Sequence, residues 1–196
     1  MILPVIAYGD PVLRKVAKEI TKEHPKLDEI IANMWETQYH AHGVGIAAPQ
    51  VGLSLRLFVI DASPFADDDD LSEEEQNVLK NFKKVFINPT IVEESGEEWA
   101  FNEGCLSIPD VREDVFRKET IVVEYFDENW EKQKETLNGL AARVVQHEYD
   151  HIEGILFTDK LSPLKKRLIK GKLANISKGK VNADYRMKFP QLKKKR

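Results

Sequence analysis

The chain has 196 residues, 42% hydrophobic and 32% charged, which suits one compact domain with a real core and excludes disorder throughout. No apolar run approaches the roughly 20 residues of a membrane span, and Met1–Ile6 carries no basic leader or secretory h-region, so the expected compartment is the cytoplasm, with no membrane partner. The net charge of −4 hides an asymmetry: residues 160–196 hold fourteen Lys/Arg against Asp184 alone, whereas residues 1–159 carry a net −17. A basic end on an acidic body suits an anionic partner, or is simply a solvated helix and tail.

Along the chain, Asp10-Pro11 reads as an N-cap followed by Pro at the first helical position, starting a short helix to about Ala17. Leu27, Ile30, Ile31, Met34, Trp35 and Gln38 then follow the spacing of a helix with one buried face, opened by Pro25 and closed near Gly43. After the glycine-rich stretch 43–52, Leu55–Ile60 reads as a strand, and the acidic residues 67–75 read as a surface loop with at most a helical turn. The segments 85–94, 97–101, 120–127 and about 132–137 are β-like, with a hairpin turn at Asn129 between the last two. Residues 138–153 read as a helix with Leu140, Val144, His147 and His151 along one side and Gly154 as its stop. Ser162-Pro163 starts a lysine-rich helix near 163–178, beyond which the chain reads as poorly structured. These elements predict an α+β fold, antiparallel and mixed sheets around a central helix, with a further C-terminal helix. Residues 1–183 form one domain in this reading and 184–196 a basic tail.

The central helix carries His147-Glu148-Tyr149-Asp150-His151, a His-Glu-x-x-His pattern. Histidines four apart lie one turn apart on one face, so both rings can reach one metal ion, while Glu148 can approach its water without being a ligand. A bound metal lowers the pKa of water from about 15.7 to about 7, and a neighbouring carboxylate can take that proton and return it to a leaving amine. Such a site needs three protein ligands and an open fourth position. No histidine follows His151, and Glu153, Asp159 and Asp184 sit in no third-ligand motif. Upstream, Glu103-Gly104-Cys105-Leu106-Ser107 offers the one cysteine as a thiolate ligand. A lone cysteine excludes an internal disulfide and disfavours a closed Cys-rich structural shell. It is otherwise a small buried hydrophobe, or the nucleophile of a Cys–His hydrolase, a role that leaves the two histidines around a glutamate unexplained.

Three segments together, Gly43-Val44-Gly45-Ile46-Ala47-Ala48-Pro49-Gln50, Glu103-Gly104-Cys105-Leu106-Ser107 and Gln146-His147-Glu148-Tyr149-Asp150-His151, resemble in this order the three signature motifs of bacterial peptide deformylases. The resemblance runs from about Asp10–Leu13 to about Leu161. It implies removal of the N-formyl group from the N-terminal formyl-methionine of newly made polypeptides, with release of formate. It implies Cys105, His147 and His151 as metal ligands, Glu148 as general acid/base, and the Gln50 amide and Leu106 N–H as oxyanion donors. Gly45 would hydrogen-bond an extended substrate, Val44 and Val144 would line the methionine pocket, Glu103 would pair with Arg117 near that pocket, and Arg112 would face the substrate's far end. The family's ion is characteristically Fe²⁺, with Zn²⁺, Ni²⁺ or Co²⁺ able to substitute. The nascent chain emerges from the ribosome, whose RNA the Lys-rich helix near 163–178 could meet. His42 stands where the motif often has an acid, and the acidic stretch 67–75 looks like an insertion. The rival readings are a metallopeptidase and a non-catalytic ribosome-associated homologue.

Overall fold

The computed structural model describes residues 1–190. The strands are β1 (Val5–Ile6), β2 (Gly45–Ala47), β3 (Leu57–Asp61), β4 (Lys83–Cys105), β5 (Ile108–Phe126), β6 (Lys132–Asn138) and β7 (Met187–Lys188). The helices are α1 (Leu27–His40), α2 (Glu73–Lys80), α3 (Gly139–Ile152) and α4 (Pro163–Ser177). Strands β2-β3-β4-β5-β6 form one antiparallel sheet in that order, and β1 pairs in parallel with β7. This is the expected α+β architecture.

Alternation along β3 explains the layering. Leu57 and Val59 point to one side and join Leu27, Ile31 and Met34 of α1 in one core cluster. Phe58 and Ile60 point to the other side, into a cluster with Val144, Val145 and Ile152 of α3. A strand buried on both faces reads as an unbroken apolar run, as Leu57-Phe58-Val59-Ile60 does. Phe86 extends the α3 side by stacking on Phe58 at 4.8 Å between ring centroids and lying 4.3 Å from Tyr125. Each such ring contributes about 1.5–3 kcal/mol on full burial.

Helix α3 starts directly where β6 ends. Asn138 is extended, and Gly139 turns the chain at φ +57°, a conformation costly for any residue with a Cβ. The helix then runs against the sheet, touching β2, β3, β5 and β6, and is buried at Leu140–Gln146, Glu148, Asp150, His151 and Ile152.

Several expectations are corrected. The Asp10 cap is real, its carboxylate accepting from the Val12 amide, but it opens only a 3₁₀ turn, Pro11–Arg14. The acidic stretch leads into two full turns of helix, because Ser72 and Glu75 form a capping box at the start of α2. The segments 85–94 and 97–101 belong to one long strand, β4, whose register shifts around Gly96 conceal its continuity. Strand β5 begins at Ile108, not at 120; its mostly charged residues 112–119 belong to the arm of the β4–β5 hairpin. The β5–β6 turn does fall at Asn129, with Trp130 in the left-handed region and Asp127 accepting the Asn129 and Glu131 amides.

The largest correction concerns the C-terminus. Residues beyond Lys178 return to the body: β7 pairs with β1, and Val181, Met187 and Phe189 pack on the cluster of Leu13, Ile108, Phe157 and Ile169. Of the expected basic tail at 184–196, residues 191–196 lie outside the described residues.

Candidate active site

Helix α3 presents His147 and His151 one turn apart, their ring centroids 5.1 Å from one another. The end of β4 brings Cys105 to them. Its Sγ lies 3.3 Å from His151 Nε2, and one ligand atom from each of the three residues falls within 4.8 Å of the others. Tetrahedral ligands around an ion with S and N bonds of about 2.3 and 2.0–2.1 Å sit roughly 3.3–3.6 Å apart, the spacing of Cys105 Sγ and His151 Nε2, and with His147 these donors form a set that a divalent ion can draw together. A thiolate and two imidazoles are a borderline-soft set suited to Fe²⁺, Zn²⁺, Ni²⁺ or Co²⁺.

The His147 ring is oriented from behind. Its Nδ1 lies 2.9 Å from Glu103 Oε2, which directs Nε2 toward the cluster. Glu103 in turn is gripped by two arginines: Arg117 donates Nε and Nη2 at 2.7 and 2.9 Å, and Arg143 donates Nη1 at 3.0 Å. Arg117 also pairs with Asp150 at 2.7 Å. Arg143 is 1% exposed, donates Nη1 also to the Val115 carbonyl and Nη2 to the Trp99 carbonyl, and lies 4.4 Å over the Trp99 ring. Burial alone would raise the Glu103 carboxyl, but Arg117 and His147 hold it well below the carboxylate range. Burial opposes protonation of His147 too, yet Cys105 and Glu103 outweigh it, so an incoming cation competes with a proton there. Burial and the charge of His147 push His151 well below its ordinary value.

Glu148 is 4% exposed, and its Oε2 has no hydrogen-bond partner among the described residues. Burial pushes its carboxyl up to about 7, the range in which one group can both take and return a proton near neutrality. Gly45 faces it closely: a Cβ there would stand 2.6 Å from Glu148 Oε1. Gln50 sits in a 3₁₀ turn after β2, where its Oε1 accepts the Ala47 amide at 2.9 Å. That bond fixes the side chain so that Nε2 points at Cys105 Sγ and Ser107 Oγ, 3.4 and 3.3 Å away.

Gly45, Gln50, Glu103, Cys105, His147 and Glu148 line a cleft of about 470 Å³, which also meets Val44, Val144, Leu106 and Arg112, while His151 is buried beside Cys105. The structure thus brings together every sequence-derived candidate. Glu103 is tied to two arginines and His147, while Arg112 is at the rim, bonded to Asn102. Strand β2, bearing Gly45, is an edge of the sheet. Sequence reasoning missed Arg143, Asp150, Phe65 and Phe101. An arginine inside the apolar stretch 140–145, one turn before His147, was the available signal for the first.

Residues 2–167 match the model of the family described as polypeptide deformylase. The peptide deformylase of Christiangramia forsetii is 71% identical over 196 residues, and that of Flavobacterium johnsoniae 64%, each covering 100% of both chains. A crystal structure of a peptide deformylase from Legionella pneumophila superposes with a TM-score of 0.76 at 38% identity, covering 91% of this chain and 96% of that one. The peptide deformylase structure from Thermotoga maritima gives 0.72 at 41%, covering 83% and 99%. With the thiol, the paired imidazoles and the buried glutamate set in a fold shared with these enzymes, the chain belongs to the polypeptide deformylase family.

Proposed function

We propose that the chain hydrolyses the N-formyl group from the N-terminal formyl-methionine of newly synthesised polypeptides, with residue roles as follows. Cys105, His147 and His151 hold one divalent ion, Fe²⁺ in the working enzyme, with Zn²⁺, Ni²⁺ or Co²⁺ able to occupy the same donors. When bound, such an ion supplies Lewis acidity that makes hydroxide available near neutral pH. Glu148 accepts a proton as water attacks the formyl carbon and returns it to the leaving amine. The Gln50 Nε2 and the Leu106 N–H donate to the developing oxyanion, a contribution of about 10²–10³ in rate for one such donor. The unpaired edge of β2 at Gly45 suits an extended peptide added as a strand. Val44 and Val144 line the space for the methionine side chain, and Arg112 at the rim faces the peptide further along. Glu103 serves the site by orienting His147. The observation that carries this reading is the convergence of one thiol and two imidazoles beside a buried, unpartnered glutamate oxygen. The test is anaerobic turnover of a formyl-Met-Ala-Ser peptide by Fe²⁺-loaded protein, with and without chelator. Chelator-sensitive formate release is expected; internal cleavage would point to a peptidase, and no release from loaded, folded protein to a binding homologue.

Cys105→Ser is expected to lower metal occupancy sharply, because a hydroxyl is a poor ligand for borderline-soft ions. Elemental analysis after dialysis checks this, and undiminished occupancy would exclude ligation by Cys105.

Among the described residues no helix is long and apolar enough to cross a membrane, and the proposed site of action is the cytoplasm. The catalytic domain extends past residue 183 to include β7, which pairs with β1. Helix α4 carries Lys165, Lys166, Arg167, Lys170 and Lys172, a basic set suited to ribosomal RNA, whose phosphates bind cations electrostatically. Lys→Glu changes at 165, 166 and 170 should abolish low-salt co-sedimentation with ribosomes; undiminished binding would remove this surface from consideration.

A further inference from the structure

The turn that carries Leu106 lacks the residues that would shape it locally. Cys105 pairs with Ile108, so Leu106 and Ser107 alone join β4 to β5. Two-residue hairpin loops usually match strand twist through left-handed residues, chiefly Gly, Asn or Asp, and neither Leu106 nor Ser107 has a positive φ. Contacts from elsewhere hold the turn. The Tyr8 amide donates to the Ser107 carbonyl at 2.9 Å, and the Gln50 amide to Ser107 Oγ at 3.3 Å. The third contact comes from the far end of the chain: the Tyr185 hydroxyl donates to the Leu106 carbonyl at 2.8 Å.

Tyr185 is delivered there by defined structure. The Val5 and Ala7 amides donate to the Arg186 and Lys188 carbonyls, both at 2.9 Å, which fixes β7 against β1. The Tyr185 ring packs on the same core cluster as Leu106. Burial, with Cys105, Asp184 and Asp110 nearby, pushes its phenol upward, so the hydroxyl remains a donor. Tyr185 also lies beyond residues 2–167, the part matched by the family model.

We infer that Tyr185 is a positioning residue for the reaction: by fixing the Leu106 carbonyl, its hydroxyl aims the Leu106 N–H at the oxyanion. The inference rests on the deformylase reading above. Strand pairing holds Cys105 on one side of Leu106 and Tyr185 holds its carbonyl on the other, so the peptide units that meet at Leu106 are anchored from both sides. An oxyanion donor works through such preorganisation, and a turn free to rock loses it.

Tyr185→Phe keeps the ring and removes the hydroxyl. The expected result is a fall in kcat of about tenfold, the scale of one lost hydrogen bond, with KM for formyl-Met-Ala-Ser unchanged. The visible spectrum of the Co²⁺-loaded variant should match wild type, since the ligands are untouched. Amide exchange at Leu106 and Ser107, measured by NMR on the Zn²⁺-loaded proteins, should accelerate. Wild-type exchange at both amides would overturn the inference, as would an unchanged kcat, a loss confined to KM or an altered Co²⁺ spectrum. Wild-type protein that releases no formate would instead overturn the deformylase reading, and with it the catalytic role of Tyr185; the exchange rates would still report whether Tyr185 anchors the turn.

Discussion

Glu148→Ala is expected to lower kcat by about 10²–10⁴-fold, the range of a positioned general acid/base, while leaving the metal content at wild-type level. Its carboxylate is no part of the Cys105–His147–His151 donor cluster, so ion binding does not depend on it. Its value lies in being buried and unpartnered. Water or arginine at Oε2 would favour ionisation, whereas isolation lifts the carboxyl to about 7. Such isolation costs stability, which gives a second readout. The native pKa stands above the ordinary 4.5, so in metal-stripped protein the folded state holds a proton that the unfolded chain has released. This residue's contribution therefore declines as pH rises through the window from 4.5 to 7. Glu148→Gln, which keeps the shape beneath Gly45, should remove that decline and be no less stable than wild type at pH 7. Formate assays, elemental analysis and urea titrations check the three expectations. Wild-type turnover in Glu148→Ala would sink the assigned role.

The site was more legible than the scaffold, for physical reasons. Histidines four apart on a helix must share a face, so His147 and His151 announced themselves. The β4–β5 hairpin was harder: Glu93, Glu94, Glu97 and Glu98 interrupt the apolar alternation because that arm is largely exposed, and periodicity reports burial, not pairing. The network behind His147 was hidden because charged residues on a helix ordinarily face solvent, whereas Arg143 and Asp150 are buried by partners distant in sequence. In the C-terminal segment, Tyr185, Met187 and Phe189 alternate with period 2, a strand signal that the surrounding lysines and arginine obscured. What sequence could not convey was the partner, since the β1–β7 pairing joins opposite ends of the chain.

Glu103→Ala is expected to produce the largest loss of stability of any single change near the site, about 3–5 kcal/mol, the cost of leaving buried charges without their counterion. Two guanidiniums depend on that one carboxylate. Arg117 keeps only Asp150, and Arg143, 1% exposed, keeps only backbone carbonyls. Because Arg117 and His147 depress the native pKa of Glu103, its ionised form contributes stability above the ordinary value of 4.5, and that stability is lost as pH falls toward the lower native value. The wild type should therefore weaken in acid more steeply than Glu103→Gln does. His147 loses its orienting partner in both variants, and removing such an outer partner typically lowers metal affinity about 10–100-fold. Urea denaturation of the metal-stripped proteins at pH 7 and below pH 4.5, the ordinary value of the carboxyl, checks the stability effect apart from the binding effect. A cost below about 1 kcal/mol, the scale of an exposed pair, would mean that the arginines find other partners and that His147 is held by the helix alone.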